Sequence, residues 1–290
     1  MQAAKKHRHT MMPIKNGYKS LGILISGVVA QEAYPVFTLN YFHILQPVMP
    51  NNLRNRFYIK ETLLFIFSTF RFAAAIAQDT GYTRPPVTDK WDVYKKQVKN
   101  DSSKKMLELR SLIPGIVYDL RYATTNNFMH RLMYPANTTH TFMRQPAAMA
   151  LQKVQLELDQ KGLGLKIFDA YRPYSVTVKF WELVKDERYV ANPSKGSGHN
   201  RGIAVDLTII SLKNGHELNM GTGFDNFTDT AHHSFTKLPG DILQNRQLLR
   251  STMEKYGFKA FESEWWHYFL AEGNGFEILD IDFSKLKKGL

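Results

Sequence analysis

"KGSGHNRGIAVDLTI", residues 195–209, passes without a break from a polar, glycine-rich loop into an apolar strand that carries a carboxylate. Aliphatic and β-branched residues flank Asp206 on either side, which is the chemistry of a strand lying in a core. A charge placed there costs several kcal/mol unless something neutralises it, so Asp206 needs a partner. A second stretch, "ESEWWHYFL" at 262–270, again sets acid and imidazole among aromatic residues. Each of these two stretches lacks what the other holds.

Outward from the first strand, the elements are mixed. "GIVYDLRYAT" (115–124) alternates as a strand does, and "NNFMHRLMYPANTTHTF" (126–142) follows as a long loop of the kind that often carries function. Pro146 opens a helix with Met149, Leu151, Val154 and Leu158 as apolar positions and Gly162 as its stop. "LGLKIFDAYRP" reads as a strand ending at Arg172, and Pro173 begins a second amphipathic helix through Val176, Phe180, Trp181 and Val184. His199 sits on the loop 190–202 that precedes the central strand, and Asn214-Gly215 marks a hairpin back into another short strand. "GDILQNRQLLRSTMEKYGF" is a third helix, with Asp241 as candidate N-cap and Gly257 as its end. The last strands are "FKAFESEWWHYFL" and "GFEILDIDF". Strands and helices without regular βαβ alternation predict an α+β fold: a single domain with a central, mainly antiparallel sheet flanked by helices. There is no internal repeat, no GxGxxG and no phosphate-binding loop.

The chain has 290 residues, 43% of them hydrophobic, enough for a sizeable core. Its formal charge of +12 suggests nucleic acid until it is divided along the chain: residues 1–77 hold nine basic and two acidic side chains, which leaves +5 for the remainder. With no basic run interleaved with aromatics, nucleic acid is excluded as a partner. Residues 49–77 have a basic start, an apolar run from Leu63 and Ala75-Ile76-Ala77 before Gln78, the pattern of a signal peptide. That places residues 1–48 as an over-extended N-terminus ahead of a start at Met49, with one uncleaved amphipathic leader as the alternative. Residues 78–111, polar and marked by proline, are expected as an extended lead-in, and 112–290 as the folded domain. The protein is then periplasmic or secreted, without a stable membrane anchor after cleavage; a cytoplasmic location is the alternative. Absence of cysteine removes disulfides, thiolate metal sites and thiol nucleophiles.

His199, Asp206, Glu264 and His267 are the polar residues set among apolar ones. Two imidazoles and a carboxylate can hold one zinc and leave a coordination position open, the arrangement of a catalytic site at the sheet. Glu264 is then free to move protons. Taken singly, each has an ordinary reading: a solvated loop histidine, an aspartate capping a turn, a tryptophan pair packing a core. On a regular strand, residues three apart face opposite ways. For Glu264 and His267 to share one metal, the chain must bend before Trp265. His232-His233, adjacent in a polar loop, are left out of the set.

"SGHNRGIAVDLT" with "ESEWWHY" resembles the SxHxxGxAxD and ExxH motifs of the D-alanyl-D-alanine dipeptidase family of zinc peptidases. The resemblance continues in order through "YDLRYATTNNF", "DAYRP", "MGTGFD", "AHH" and "NRQLLRSTMEKYGF", over about residues 112–270. It implies one zinc per chain held by His199, Asp206 and His267, with Glu264 as general base. It further implies that Arg172 stabilises the oxyanion, Asp225 takes the substrate's amino group, and Ser197 and Tyr122 line a pocket for a small dipeptide. Arg172 has a plainer alternative in a strand-end salt bridge with Asp169, and Asp225 in a turn. The implied activity is hydrolysis of D-Ala-D-Ala to two D-alanines in cell-wall peptide turnover or glycopeptide resistance. A zinc carboxypeptidase acting on longer peptidoglycan stems and a non-catalytic zinc module are the alternatives. A structural zinc site normally closes with four protein ligands and needs no base, which Glu264 would supply.

Overall fold

A computed structural model describes residues 82–289, so the leader assigned to 49–77 and the segment before it lie outside the described residues. What is described begins with β1 (Val87–Thr88) and a ten-residue helix, α1 (Trp91–Asn100), then β2 (Met106–Glu108), the single turn α2 (Leu109–Leu112) and β3 (Val117–Tyr118). Next come β4 (Phe142–Arg144), α3 (Gln145–Asp159), β5 (Leu163–Asp169), α4 (Tyr174–Val184) and the short helix α5 (Gly198–Arg201). The chain closes with β6 (Ala204–Ser211), α6 (Gly240–Lys255), β7 (Phe258–Phe261), β8 (Glu264–Leu270), β9 (Ile278–Leu279) and α7 (Phe283–Lys288).

A five-stranded sheet in the order β3-β5-β6-β8-β7 organises the fold. Only β3 and β5 are parallel; β5-β6, β6-β8 and β8-β7 are antiparallel. This is the α+β, mainly antiparallel arrangement that the mixed element order predicts, and the described residues fall within one compact unit. The central strand β6 is buried from Ala204 to Ile210, because its neighbours cover both edges and helices cover a face. The apolar stripe of α3 (Leu151, Val154, Leu158) packs with Leu165, Leu207 and Ile209 from the sheet. A second cluster gathers Tyr122, Tyr134, Phe142, Tyr171 and Phe180 under the C-terminal Phe283. No helix among the described residues is long and apolar enough to cross a membrane.

Several expectations need correction. The segment 78–111 is no extended lead-in: α1 lies in it, and Tyr94 is buried in the second cluster with Trp91 and Val98 packed around it. Its polar residues mask an apolar stripe at helical spacing. Val87 and Thr88 pair in parallel with Ile278 and Leu279, so the final apolar run joins the start of the domain rather than β8. "GIVYDLRYAT" yields only two strand residues before a 3₁₀ turn at Arg121–Ala123. The turn at Asn214-Gly215 returns as a single bridge, Ile210 to Glu217. Pro239, not Asp241, occupies the N-cap of α6, and Asp241 lies in its first turn, where a negative charge suits the helix dipole.

Candidate active site

His199 is not on an open loop; it is the second residue of α5. Ser197 caps that helix, its Oγ accepting from the Asn200 backbone N–H at 3.3 Å while the Asn200 side chain accepts from the Ser197 N–H at 3.0 Å. The amide of Asn200 donates in turn to the Arg172 carbonyl at 2.8 Å and to Thr177 Oγ1 at 2.9 Å, which ties α5 to α4. Gly202 then turns the chain into β6 with φ +71°, and a Cβ there would lie 2.8 Å from the Met106 sulfur. The sequence "GHNRG" is thus one tightly held turn delivering His199 over the start of β6.

His199 Nδ1 donates to the Ala170 carbonyl at 2.7 Å, which leaves the Nε2 lone pair facing inward. Asp206 and His267 are direct cross-strand partners on β6 and β8, so they project from the same face. The three donor atoms approach one another closely: His199 Nε2 to His267 Nδ1 is 3.3 Å, His199 Nε2 to Asp206 Oδ2 is 3.4 Å, and His267 Nδ1 to Asp206 Oδ1 is 2.8 Å. In tetrahedral zinc, with bonds of about 2.0–2.1 Å, donors stand roughly 3.4 Å apart. The donor set and its spacing therefore fit zinc, and among the described residues this is the one such cluster. Burial pushes the Asp206 carboxyl up, but the two histidines more than offset it and hold it well below the usual carboxylate range. His267 responds in the opposite sense: burial lowers it, Asp206 outweighs that, and the net shift is upward.

Glu264 does reach the same cavity, through a distortion at the expected place. Ala260 pairs with Tyr268, yet the next residue, Phe261, pairs with Glu264, so three residues of β8 (Trp265, Trp266 and His267) have no counterparts on β7. The irregularity begins between Glu264 and Trp265, where the bend is expected, and takes the form of a bulge that runs through His267. It turns Trp265 away, its indole N–H donating to Thr222 Oγ1 at 2.8 Å, while Glu264, Trp266 and His267 all line the cavity. The Glu264 carboxylate is 3.9 Å from His267 Nδ1, beyond hydrogen bonding and outside the donor cluster. Burial raises its pKa, His267 draws it partly back, and the charge on Asp206 raises it further.

The cavity encloses about 230 Å³ and is lined by all eight residues singled out in the sequence, including Ser197 and Tyr122. That is below the range of sites for drug-sized ligands and suits a small substrate. Arg172 does make the salt bridge with Asp169, with Nε at 3.1 Å and Nη2 at 2.8 Å from one oxygen, and it also lines the cavity. The Tyr122 hydroxyl donates to the Asp225 carboxylate, 3.1 and 3.2 Å from its oxygens. Asp225 has φ +58°, and burial together with the charge of Asp206 pushes its carboxyl well above the ordinary value. Among the contributors not singled out are Phe261, whose ring stands 5.3 Å from His267, and Tyr134, which hydrogen-bonds Asp169 from the long loop. Strand alternation could have flagged Phe261; nothing in the loop's composition distinguishes Tyr134. The pair His232-His233 takes no part in the donor cluster.

A three-donor metal site with a fourth position open, a carboxylate beside it and a small pocket around both defines a metallopeptidase. A sequence profile of peptidase family M15, described as D-Ala-D-Ala dipeptidase, matches residues 102–286, and the chain belongs to that family. It is 32% identical over 180 residues to the D-alanyl-D-alanine dipeptidase of Escherichia coli K12, covering 62% of this chain and 92% of that one. To the D-alanyl-D-alanine dipeptidase of Enterococcus faecalis it is 30% identical over 184 residues, covering 57% and 91%. The solved structure of VanYB in complex with D-alanine-D-alanine aligns with 53% of this chain and 81% of its own, at 16% identity and a TM-score of 0.31.

Proposed function

We propose that this protein hydrolyses D-Ala-D-Ala to two D-alanines with one zinc per chain. One observation carries the reading: three donor atoms converge on a tetrahedral spacing while a second carboxylate, Glu264, stays in the cavity outside that cluster. His199, Asp206 and His267 would hold the metal, which when bound supplies Lewis acidity that acidifies water and polarises a scissile carbonyl. Glu264 accepts the proton of the attacking water and passes it to the departing amine. Its raised pKa suits a group that must both take and give a proton near neutrality. Arg172, held by Asp169, offers its remaining N–H groups to the oxyanion. Asp225, half-buried and with the Tyr122 hydroxyl as its one side-chain donor among the described residues, is a carboxylate waiting for a cation, and the substrate's ammonium meets that need.

The test is a comparison of rates on D-Ala-D-Ala, L-Ala-L-Ala and an N-blocked D-Ala-D-Ala with the purified zinc-loaded protein. Turnover of the first alone is expected. Cleavage of the blocked compound at an equal rate would point instead to a carboxypeptidase acting on longer stems. The setting, cell-wall turnover or glycopeptide resistance, follows from the substrate. Export by residues 49–77 rests on the sequence pattern, and N-terminal sequencing of the mature protein should find Gln78 first.

A further inference from the structure

We propose that Asp169 is a positioning residue that acts through Arg172 and is itself fixed by Tyr134; this rests on the reading of Arg172 as the oxyanion partner. Asp169 ends β5 directly opposite Asp206 of β6, and both are buried. Like charges facing each other across two strands destabilise a sheet, so a second carboxylate at this point is costly to keep and must be compensated locally.

The compensation is complete. One oxygen accepts from Arg172 Nε and Nη2 at 3.1 and 2.8 Å, and the other accepts from the Tyr134 hydroxyl at 2.5 Å and the Ala170 N–H at 2.9 Å. With four donors on two oxygens, Asp169 has no lone pair left to swing toward the metal. Its approach to His199 Nδ1, 3.8 Å, is too long for a hydrogen bond, and that ring nitrogen already donates to the Ala170 carbonyl. Its direct charged partner is therefore Arg172 and not the ligand set.

Arg172 needs such a partner. A guanidinium on a flexible stem stabilises developing charge only if it is already in place. Here the Tyr122 and Phe180 rings lie 5.1 and 5.0 Å from the guanidinium carbon, and Asp169 holds one edge. Nε–H and one Nη2–H are consumed by that edge, and three of the five N–H groups remain for the cavity. Tyr134 reaches Asp169 from the long loop after Tyr122, so part of that loop serves as a buttress for the arginine.

The experiment is a double-mutant cycle with metal analysis. Asp169→Asn keeps the shape and should lower kcat on D-Ala-D-Ala about 10²-fold, with KM within about threefold and one zinc retained, the scale of losing an oxyanion donor. Tyr134→Phe, which is milder and leaves the ring packing intact, should lower kcat about tenfold. In an Arg172→Ala background, Asp169→Asn should cost less than about threefold, because its target is gone. Equal loss in both backgrounds, or loss of zinc in Asp169→Asn, overturns the proposal. A readout independent of the substrate accompanies it: the Arg172 Nε–H signal in ¹⁵N-resolved NMR spectra of the zinc-loaded protein. It should be protected from exchange in the wild type and unprotected in Asp169→Asn, and equal protection in the two overturns the proposal. A wild type that leaves D-Ala-D-Ala intact while showing this difference would refute the substrate reading and not the positioning.

Discussion

Asp169 and Asp206 are the same residue type, face each other across two adjacent strands and are both buried, yet they are neutralised in different ways. Around Asp169 the chain supplies a permanent cation, a phenol and an N–H, so every acceptor is filled from within. Around Asp206 it supplies two imidazoles whose charge depends on protonation, and one lone pair of each converges with the carboxylate on a common point. The first region is complete as folded. The second is completed by an ion. Whether a buried carboxylate serves as scaffold or as ligand is thus decided by which cation its neighbours can offer, and not by burial itself.

The largest effect that would test this contrast comes from removing the open carboxylate. Asp206→Ala should lose its zinc and fall to background activity, because two remaining ligands hold the metal poorly; atomic absorption and turnover measured together check it, and retained metal with activity would erase the distinction. Next is Glu264→Gln, expected to keep about one zinc per chain and lose about 10²- to 10⁴-fold in kcat, the usual worth of a general base. Loss of metal instead would make Glu264 a ligand. Smaller again is Asp225→Asn, which removes a charge that waits for substrate: KM for D-Ala-D-Ala should rise about tenfold or more while zinc content stays constant, and steady-state kinetics separate the two constants.

The smallest effect extends the comparison to a half-buried histidine. His233 packs against Tyr268 and has an unpartnered Nε2, and burial, aided by Arg250, lowers its pKa from 6.5 to about 4. It copes with burial by staying neutral. Between those two values the unfolded chain binds the proton and the folded one does not, so stability present above pH 6.5 is lost as the pH falls toward 4. Melting temperatures across that window should decline in the wild type and decline less in His233→Phe, provided the aromatic ring preserves the packing.

Much of the site was legible because its chemistry is local to short motifs. His199 and Asp206 lie on one turn and the strand it enters, and the glycine that makes the turn is in the same stretch. The order of helices and strands was readable from apolar periodicity, as for α3 and α4. What was not readable depends on contacts made at a distance. The pairing of Val87 and Thr88 with Ile278 and Leu279 links ends of the domain that no local signal connects. Tyr134 lies in a loop whose composition suggests only solvation. Trp91, Tyr94 and Val98 form a stripe that the six lysines of residues 90–105 obscure, since charge density in a window hides a narrow apolar face.

The unmatched residues of β8 bear on which changes this segment can absorb over evolution. Because Trp265, Trp266 and His267 span a gap between two fixed pairings, Phe261 with Glu264 and Ala260 with Tyr268, their number is set by the sheet on both sides. The side chains of Trp265 and Trp266 can be exchanged one at a time and selected on their merits. A single insertion or deletion there would put a neighbour in the place of His267 opposite Asp206, sending a ligand out of the site and a tryptophan into it. Descendants of this sequence should therefore keep Glu264, His267 and the two-residue spacing between them, varying in letters only at 265 and 266, and length variation should collect instead in the loops on either side.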